Sequence, residues 1–329
     1  MAQVLVSGAI NWDTLCLVEH LPAPGEEVTC DAVSEVPGGT GANTAVAAAR
    51  ILGPGEVALF AALGQDDIAD RQLAVLDAEG VVRSSVVPMP GQSSGHAYIF
   101  VDHEGQNVIA SSLGANSALS ARHARPARMF TLLQDCRCVV VTDPPLPVAS
   151  YLLQAAAARD LPVLWDPGVL ARHGWNALAP LARHVDSLFL NEAEARQLFG
   201  AASPRDIVRS LDRRREPAHI VLKLGARGSL LVDCATGETA AIPPLPMTEL
   251  GLHVVSAVGC GDVFIGACAA CLALGYERHT ALLMASAAAG FNASRPETRG
   301  GPDRVTLLHL LDRAGPFGFV LPADSGAAL

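Results

Sequence analysis

Lysine is almost missing from this chain. Of its 23 basic residues, 22 are arginine, and the only lysine is Lys223. A phosphate loop of the G-x-x-x-x-G-K-[ST] type is thereby excluded, because Lys223 sits in Val221-Leu222-Lys223-Leu224-Gly225. A protein-kinase signature set is excluded for the same reason, and a Schiff-base lysine could only be Lys223. Charge is scarce as well: 17% of residues are charged while 50% are hydrophobic, which excludes a disordered or solvating chain. Positive charge is in deficit, 23 against 33 acidic residues, and the net charge of −10 argues against nucleic-acid or anionic-membrane partners. No apolar run is long enough to predict a membrane span. A G-x-G-x-x-G dinucleotide fingerprint after the first strand is also missing.

The opening segment Met1-Ala2-Gln3-Val4-Leu5-Val6-Ser7-Gly8 has no basic n-region and reads as a first strand rather than a signal peptide. The eight cysteines are accordingly expected to be reduced thiols in a cytoplasmic protein. The one C-x-x-C, Cys268-Ala269-Ala270-Cys271, lies in an apolar helical pattern without a second pair, so a buried structural role is favoured over zinc or redox chemistry. The ten histidines form no metal-binding spacing.

With 329 residues, the chain can bury a large core without staples, and it is read as a single α/β domain spanning 1–329. Short apolar segments alternate with Ala/Leu-rich helical stretches. Strands are expected at Val4–Ser7, Val57–Ala61, Cys138–Thr142, Val163–Trp165, Ser187–Leu190, Ile220–Leu224 and Ser229–Val232. Helices are expected at Ala42–Leu52, Asp66–Glu79, Val148–Arg159, Glu192–Phe199, Cys260–Leu274 and Thr280–Ala293. Continuous apolar strands indicate helices on both faces, and so a doubly wound, largely parallel sheet. Two segments break the rhythm: Cys16–Glu35, with turn residues between extended pieces, and Gly95–Ser111, which reads as a hairpin turning at Asp102-His103-Glu104-Gly105. Such strands predict a small β lid, at about 12–36 and 93–113, that would exclude water from a site at the sheet edge. The tail Asp324–Leu329 is expected to fray.

Three constellations carry chemistry. In Ser256-Ala257-Val258-Gly259-Cys260-Gly261-Asp262, the glycines admit close backbone approach and the following helix points free N–H groups at the same spot. That makes an anion hole with a favourable dipole. Asp262 would accept a proton from an attacking hydroxyl while those N–H groups hold a transferring phosphoryl group; the alternative is a tight loop with an ordinary first-turn acid. In Pro37-Gly38-Gly39-Thr40-Gly41-Ala42-Asn43, paired glycines expose backbone to a polar ligand, and Asn43 offers a donor and an acceptor to a sugar hydroxyl. Close helix–sheet packing explains the same loop equally simply. In Gly8-Ala9-Ile10-Asn11-Trp12-Asp13, Asn11 and Asp13 can clamp a polyol, or form only a polar turn.

Taken in order, these motifs resemble the ribokinase-like (PfkB-type) carbohydrate kinase family, closest in motifs to ribokinases and related sugar and nucleoside kinases. Gly8–Asp13 resembles the family's first substrate loop, and Pro24-Gly25-Glu26, Gly38–Asn43 and Ala45–Gly53 its N-terminal signature. Ser94–Ile109 resembles the lid strand pair, followed by Gly114-Ala115-Asn116. Asp166-Pro167-Gly168, Asn191-Glu192-Ala193-Glu194-Ala195, Leu224-Gly225-Ala226-Arg227-Gly228 and Gly259–Asp262 then follow in the family's order.

The resemblance implies a Rossmann-like fold and an ATP- and magnesium-dependent phosphotransferase acting on a hydroxymethyl group of a ribose-like or other furanose sugar. It implies Asp262 as general base, with the amides of Gly259, Cys260 and Gly261 as the anion hole. Asn191 and Glu194 would organise magnesium, directly or through water, and Lys223, Gly225 and Gly228 would lie along the nucleotide. Asn11, Asp13, Gly38, Gly39, Thr40, Asn43 and Asp143 would bind the acceptor. By its own spacing, Asn191 sits three residues before Glu194, on one helical face, though Asn191 also suits an N-cap. Three departures stand out. Thr40 replaces the ribokinase lysine, Asp143 stands for a glutamate, and Ser256 replaces an aspartate that helps hold a monovalent cation. Thr40 leaves room for a larger acceptor, so a nucleoside kinase is the close alternative; a non-catalytic sugar or nucleotide sensor is the rival from another class. Edge strands of the lid could pair in a homodimer.

Overall fold

The computed structural model describes residues 2–104, 106–124, 126–201, 203–211 and 217–321. The first half of the chain contributes strands β1 (Val4–Ser7), β2 (Asn11–Val18), β3 (Cys30–Gly38), β4 (Val57–Phe60), β5 (Ala62–Leu63), β6 (Val87–Pro88), β7 (Gly95–Val101) and β8 (Asn107–Ser112). Strands β9 (Cys138–Val141), β10 (Val163–Trp165), β11 (Ser187–Asn191), β12 (His219–Lys223), β13 (Ser229–Asp233) and β14 (Thr239–Ile242) follow. Between them run helices α1 (Thr40–Leu52), α2 (Asp67–Ala78), α3 (Ala115–Ala118), α4 (Pro126–Leu133), α5 (Leu146–Ala157), α6 (Trp175–Ala182), α7 (Glu192–Phe199) and α8 (Pro204–Ser210). The C-terminal part adds α9 (Cys260–Ala273), α10 (Arg278–Ala293) and α11 (Arg304–Ala314).

Eight strands form the main sheet in the order β14-β13-β12-β11-β10-β9-β1-β4. Pairing is parallel from β12 to β4, and β13 and β14 finish one edge antiparallel. The inner strands carry almost no polar residues because both faces are covered. Alternation along β1 and β9 divides the core: Val4, Val6, Cys138 and Val140 face one helical layer, with α1, α9, α10 and α11. Leu5, Val139 and Val141 face the other, with α4, α5, α6 and α7. Helix α9 is buried around most of its circumference, wedged between α1 and α10, so its sequence has no polar stripe. Cys268 and Cys271 lie in that wedge as thiols, and burial pushes the Cys271 thiol up to about 12.

A second sheet, β3-β2-β7-β8, stands apart from this rhythm, with β2 and β7 parallel. Asp66 anchors it: its carboxylate caps α2 at Ala69 N (2.9 Å) and accepts the N–H and hydroxyl of Ser94 (2.6 Å each) just before β7.

Several boundaries differ from the sequence reading. Helix α1 starts at Thr40 rather than Ala42, behind Gly39, and α10 at Arg278 rather than Thr280. Strand β14, Thr-Ala-Ala-Ile at a sheet edge with only Ile242 buried, is too short and too mixed to stand out as a strand in the sequence. The tail expected to fray, Asp324–Leu329, and Gly105 of the hairpin turn lie outside the described residues. Among the described residues, no helix is long and apolar enough to cross a membrane.

Candidate active site

The chain leaves β1 for β4 on one side and later enters β9 on the other, so the strand order reverses at β1. A reversal of this kind opens a crevice outside the carboxyl ends of the strands. The residues that follow those ends meet there. A cavity of about 140 Å³ is lined by Thr40, Thr142, Asp143, Asp166, Gly168, Glu194, Lys223 and Asp262.

Asp262 enters it from the first turn of α9. Gly259 caps that helix at φ +77°, and a Cβ there would stand 2.1 Å from the Thr298 carbonyl oxygen, so the turn requires glycine. No side chain caps the helix, which leaves its positive end open to an anion. Of the three expected anion-hole amides, Cys260 N–H already donates to Ala257 O at 3.3 Å. Lys223 adds charge from the opposite wall: its Nζ lies 3.5 Å from where a Cβ on Gly261 would be, and 2.5 Å from Asp166 Oδ2. Burial disfavours the ammonium, but Asp166, Glu194 and Asp262 outweigh burial and hold the Lys223 pKa above its ordinary value.

Burial also dominates at Asp262. It pushes the carboxyl up to about 7, with repulsion from Asp166 and Asp143 in the same direction and Asn43 and Lys223 opposing. Asn43 Nδ2 donates to Asp262 Oδ2 at 2.8 Å. A carboxyl titrating near neutrality can both take up and release a proton at working pH.

The acceptor side is built from β1, β2 and α1. Asp13 is 6% exposed, lies over Gly38 with no room for a Cβ, and has one oxygen, Oδ1, without a hydrogen-bond partner. Burial pushes its carboxyl up to about 6, against the pull of Arg299. Asn11 Oδ1 accepts from Asn116 Nδ2 at 3.0 Å, so the Asn11 NH₂ is the half of the amide left to meet a ligand. Asp143 Oδ1 accepts from the Thr40 hydroxyl at 2.5 Å and from Ala9 N–H at 3.2 Å. Thr40 and Asp143, two of the three positions where the sequence departs from the resembling family, thus bond to each other.

Other expected residues stand differently. Asn191 precedes α7 as its N-cap: its Oδ1 accepts Glu194 N–H (2.9 Å), and Glu194 Oε2 accepts Asn191 N–H (2.8 Å). The capping box engages one oxygen of each side chain, and of the pair Glu194 lines the cavity. Gly225 and Gly228 form the turn after Lys223, outside the cavity lining; Gly228 is there because β14 packs against it, 2.2 Å from where a Cβ would be. Ser256 Oγ accepts Val258 N–H (3.2 Å), and the Val258 carbonyl accepts Asn292 Nδ2 (3.1 Å). The segment offers only neutral oxygens, each already accepting one hydrogen bond, which makes it a weaker cation site than one with a carboxylate.

Sequence reasoning assigned no role to Asp166, Asn116 or Arg299. Asp166 ends an apolar parallel strand, and a charge at such a strand's carboxyl end was a usable signal. Arg299 has no local signal at all.

A pfkB family carbohydrate kinase model matches residues 1–304. The chain belongs to this family. Bacillus subtilis ribokinase is 27% identical over 316 residues, covering 94% of this chain and 100% of that one. The bifunctional ribokinase/ribose-5-phosphate isomerase A of Fructilactobacillus sanfranciscensis is 26% identical over 320 residues, covering 95% of this chain and 57% of that longer protein. Arabidopsis thaliana ribokinase complexed with ribose and ATP superposes with a TM-score of 0.79 at 25% identity, over 94% of this chain and 99% of that one. Burkholderia thailandensis nucleoside kinase in complex with inosine shares the fold, with a TM-score of 0.80 at 20% identity over 97% and 100% of the two chains. The pfkB family protein described here is a phosphotransferase with an alcohol group as acceptor, an ATP-dependent kinase of the sugar and nucleoside class.

Proposed function

We propose that the protein transfers the γ-phosphoryl group of ATP to a hydroxymethyl group of a ribose-like or other furanose sugar. The observation that carries this reading is Asp262: a carboxyl raised to about 7 at an uncapped helix N-terminus, with Lys223 across from it. The acceptor oxygen attacks phosphorus, its proton passes to Asp262, and ADP leaves with the electrons of the broken P–O bond. The end of α9 and the Lys223 ammonium receive the charge on the transferring group. Asp13, Asn11, Asn43 and Asp143 hold the sugar hydroxyls; the free oxygen of buried Asp13 supports this.

Magnesium fits Glu194. Burial and the charge of Asp166 raise its pKa, an unfavourable state that a divalent cation relieves. Among the described residues no three acidic, histidine or cysteine side chains converge into a metal site, so the ion takes its other ligands from phosphate and water. Bound there, it would neutralise phosphate charge. The reading includes a single domain, cytoplasmic location, and a lid formed by the second sheet. It also includes a homodimer through that lid, supported by exposed Leu17, Val33, Tyr98, Val108, Ile109 and Leu113.

The second reading is a nucleoside acceptor, favoured by Thr40 in place of a lysine. ADP formation should be measured over a panel of sugars and nucleosides. Turnover with furanose sugars at the highest kcat/KM supports the first reading, nucleosides the second, and none with any acceptor a sensor.

A further inference from the structure

Arg299 lies between α10 and α11 and is 7% exposed. Its Nε donates to Asn43 Oδ1 at 2.8 Å, and its Nη2 to the Gly38 carbonyl at 3.0 Å and Gln72 Oε1 at 3.4 Å. Arg50 fixes the backbone around it, donating to the carbonyls of Arg299 (2.5 Å) and Gly301 (2.8 Å) while Glu79 holds Arg50. One guanidinium therefore joins the substrate loop to the residue that hydrogen-bonds Asp262.

The chemistry of the three groups permits one arrangement. Guanidinium only donates, carboxylate only accepts, and an amide does each at one end. With its oxygen on Arg299, Asn43 must turn its NH₂ to Asp262; the flipped amide would oppose donor to donor and acceptor to acceptor. An apolar side chain would fill the space without the cost of desolvating a charge. We propose that Arg299 is a positioning residue of the transfer reaction. It orients the Asn43 amide so that Asp262 is held through Oδ2, with Oδ1 left to receive the acceptor's proton.

This inference rests on the kinase reading, and its test separates the two. Besides Asn43 on α1, the groups facing Asp262 are Asp143 after β9, Asp166 after β10, Lys223 at the end of β12 and Arg299 itself, with Cys260 on its own helix. Arg299→Met and Arg299→Lys are compared with wild type, alone and in an Asn43→Ala background. The readouts are kcat and the ¹³C-carboxyl titration of Asp262, assigned by its loss in Asp262→Asn. Arg299→Met should lower kcat by at least about tenfold and move the Asp262 titration to higher pH, with Arg299→Lys recovering part of both. In the Asn43→Ala background both effects should shrink to less than about threefold in kcat and a residual shift, because the amide they act through is gone. Wild-type kcat and titration in either folded single variant, or effects that simply add to those of Asn43→Ala, would overturn the proposal. If Arg299→Met does not fold, Arg299→Lys carries the same comparison. A wild type that phosphorylates nothing removes the kinase reading, whereas the titration still decides what Arg299 does.

Discussion

Replacing Asp262 by asparagine should make the protein less active and more stable at once, and the two effects have one cause. In the folded protein the Asp262 carboxyl is raised from 3.8 to about 7, chiefly by burial. The folded state therefore holds this proton more tightly than the unfolded chain does. That contribution to stability is complete below the unfolded value near pH 4 and is lost as pH rises through about 7. A shift of about 3 units at about 1.4 kcal/mol each gives an upper value of about 4 kcal/mol. Asparagine keeps the shape and can still accept from Asn43 Nδ2, but has no charge to desolvate. The variant should match wild type near pH 4 and gain over it progressively, reaching its full advantage above pH 7. For 329 residues, an unfolding entropy of about 2 cal/mol/K per residue makes the full gain a Tm rise of about 6 °C at pH 8. Turnover should fall by about 10²- to 10⁴-fold, since the amide cannot take the proton, and nucleotide affinity should hold. Differential scanning calorimetry from pH 4 to 8, with ADP-coupled kinetics and nucleotide titration calorimetry, measures all three. A variant less stable at pH 8, a Tm difference that does not depend on pH, or a kcat close to wild type would refute the assignment of Asp262 as a buried base.

Lys223→Thr should raise the ATP KM or lower kcat by about tenfold or more, because it removes the ammonium beside the α9 N-terminus and leaves Asp166 without its ion-pair partner; wild-type kinetics and ATP affinity would mean that the pair is structural only. Initial rates in potassium chloride and in an organic-cation chloride of equal ionic strength should agree within about twofold, since Ser256 brings no charge to the cation position; strong, saturable potassium activation would contradict this. Hydrogen–deuterium exchange should slow across β7 and β8 when an acceptor binds, as β8 is exposed along its whole length in the free protein; unchanged exchange with a confirmed substrate would make the second sheet a static element.

What the sequence determined on its own is mostly local. Cys138–Val141 and Val163–Trp165 are legible as inner parallel strands because burial on both faces demands an uninterrupted apolar run. Glu192–Phe199 is legible to the residue, since Asn191 and Glu194 write a capping box into the order of residues. The same box ties one oxygen of each side chain, Asn191 Oδ1 and Glu194 Oε2, to a backbone N–H. Asp262 could be picked out from its glycine-rich loop and Lys223 as the only lysine, while Thr40, Asp143 and Glu194 came forward through the family resemblance, and none of these signals carried their meeting in one cavity. Asn43 reaches Asp262 across 219 residues, Lys223 reaches Asp166 across 57, and Arg299 reaches Asn43 across 256. Only the tertiary structure decided that Lys223 is balanced by carboxylates and that Asp262 is lifted to about 7, with Arg299 behind it. Desolvation and Coulomb interaction depend on distance through space and on what replaces water, and neither quantity is carried by spacing along the chain.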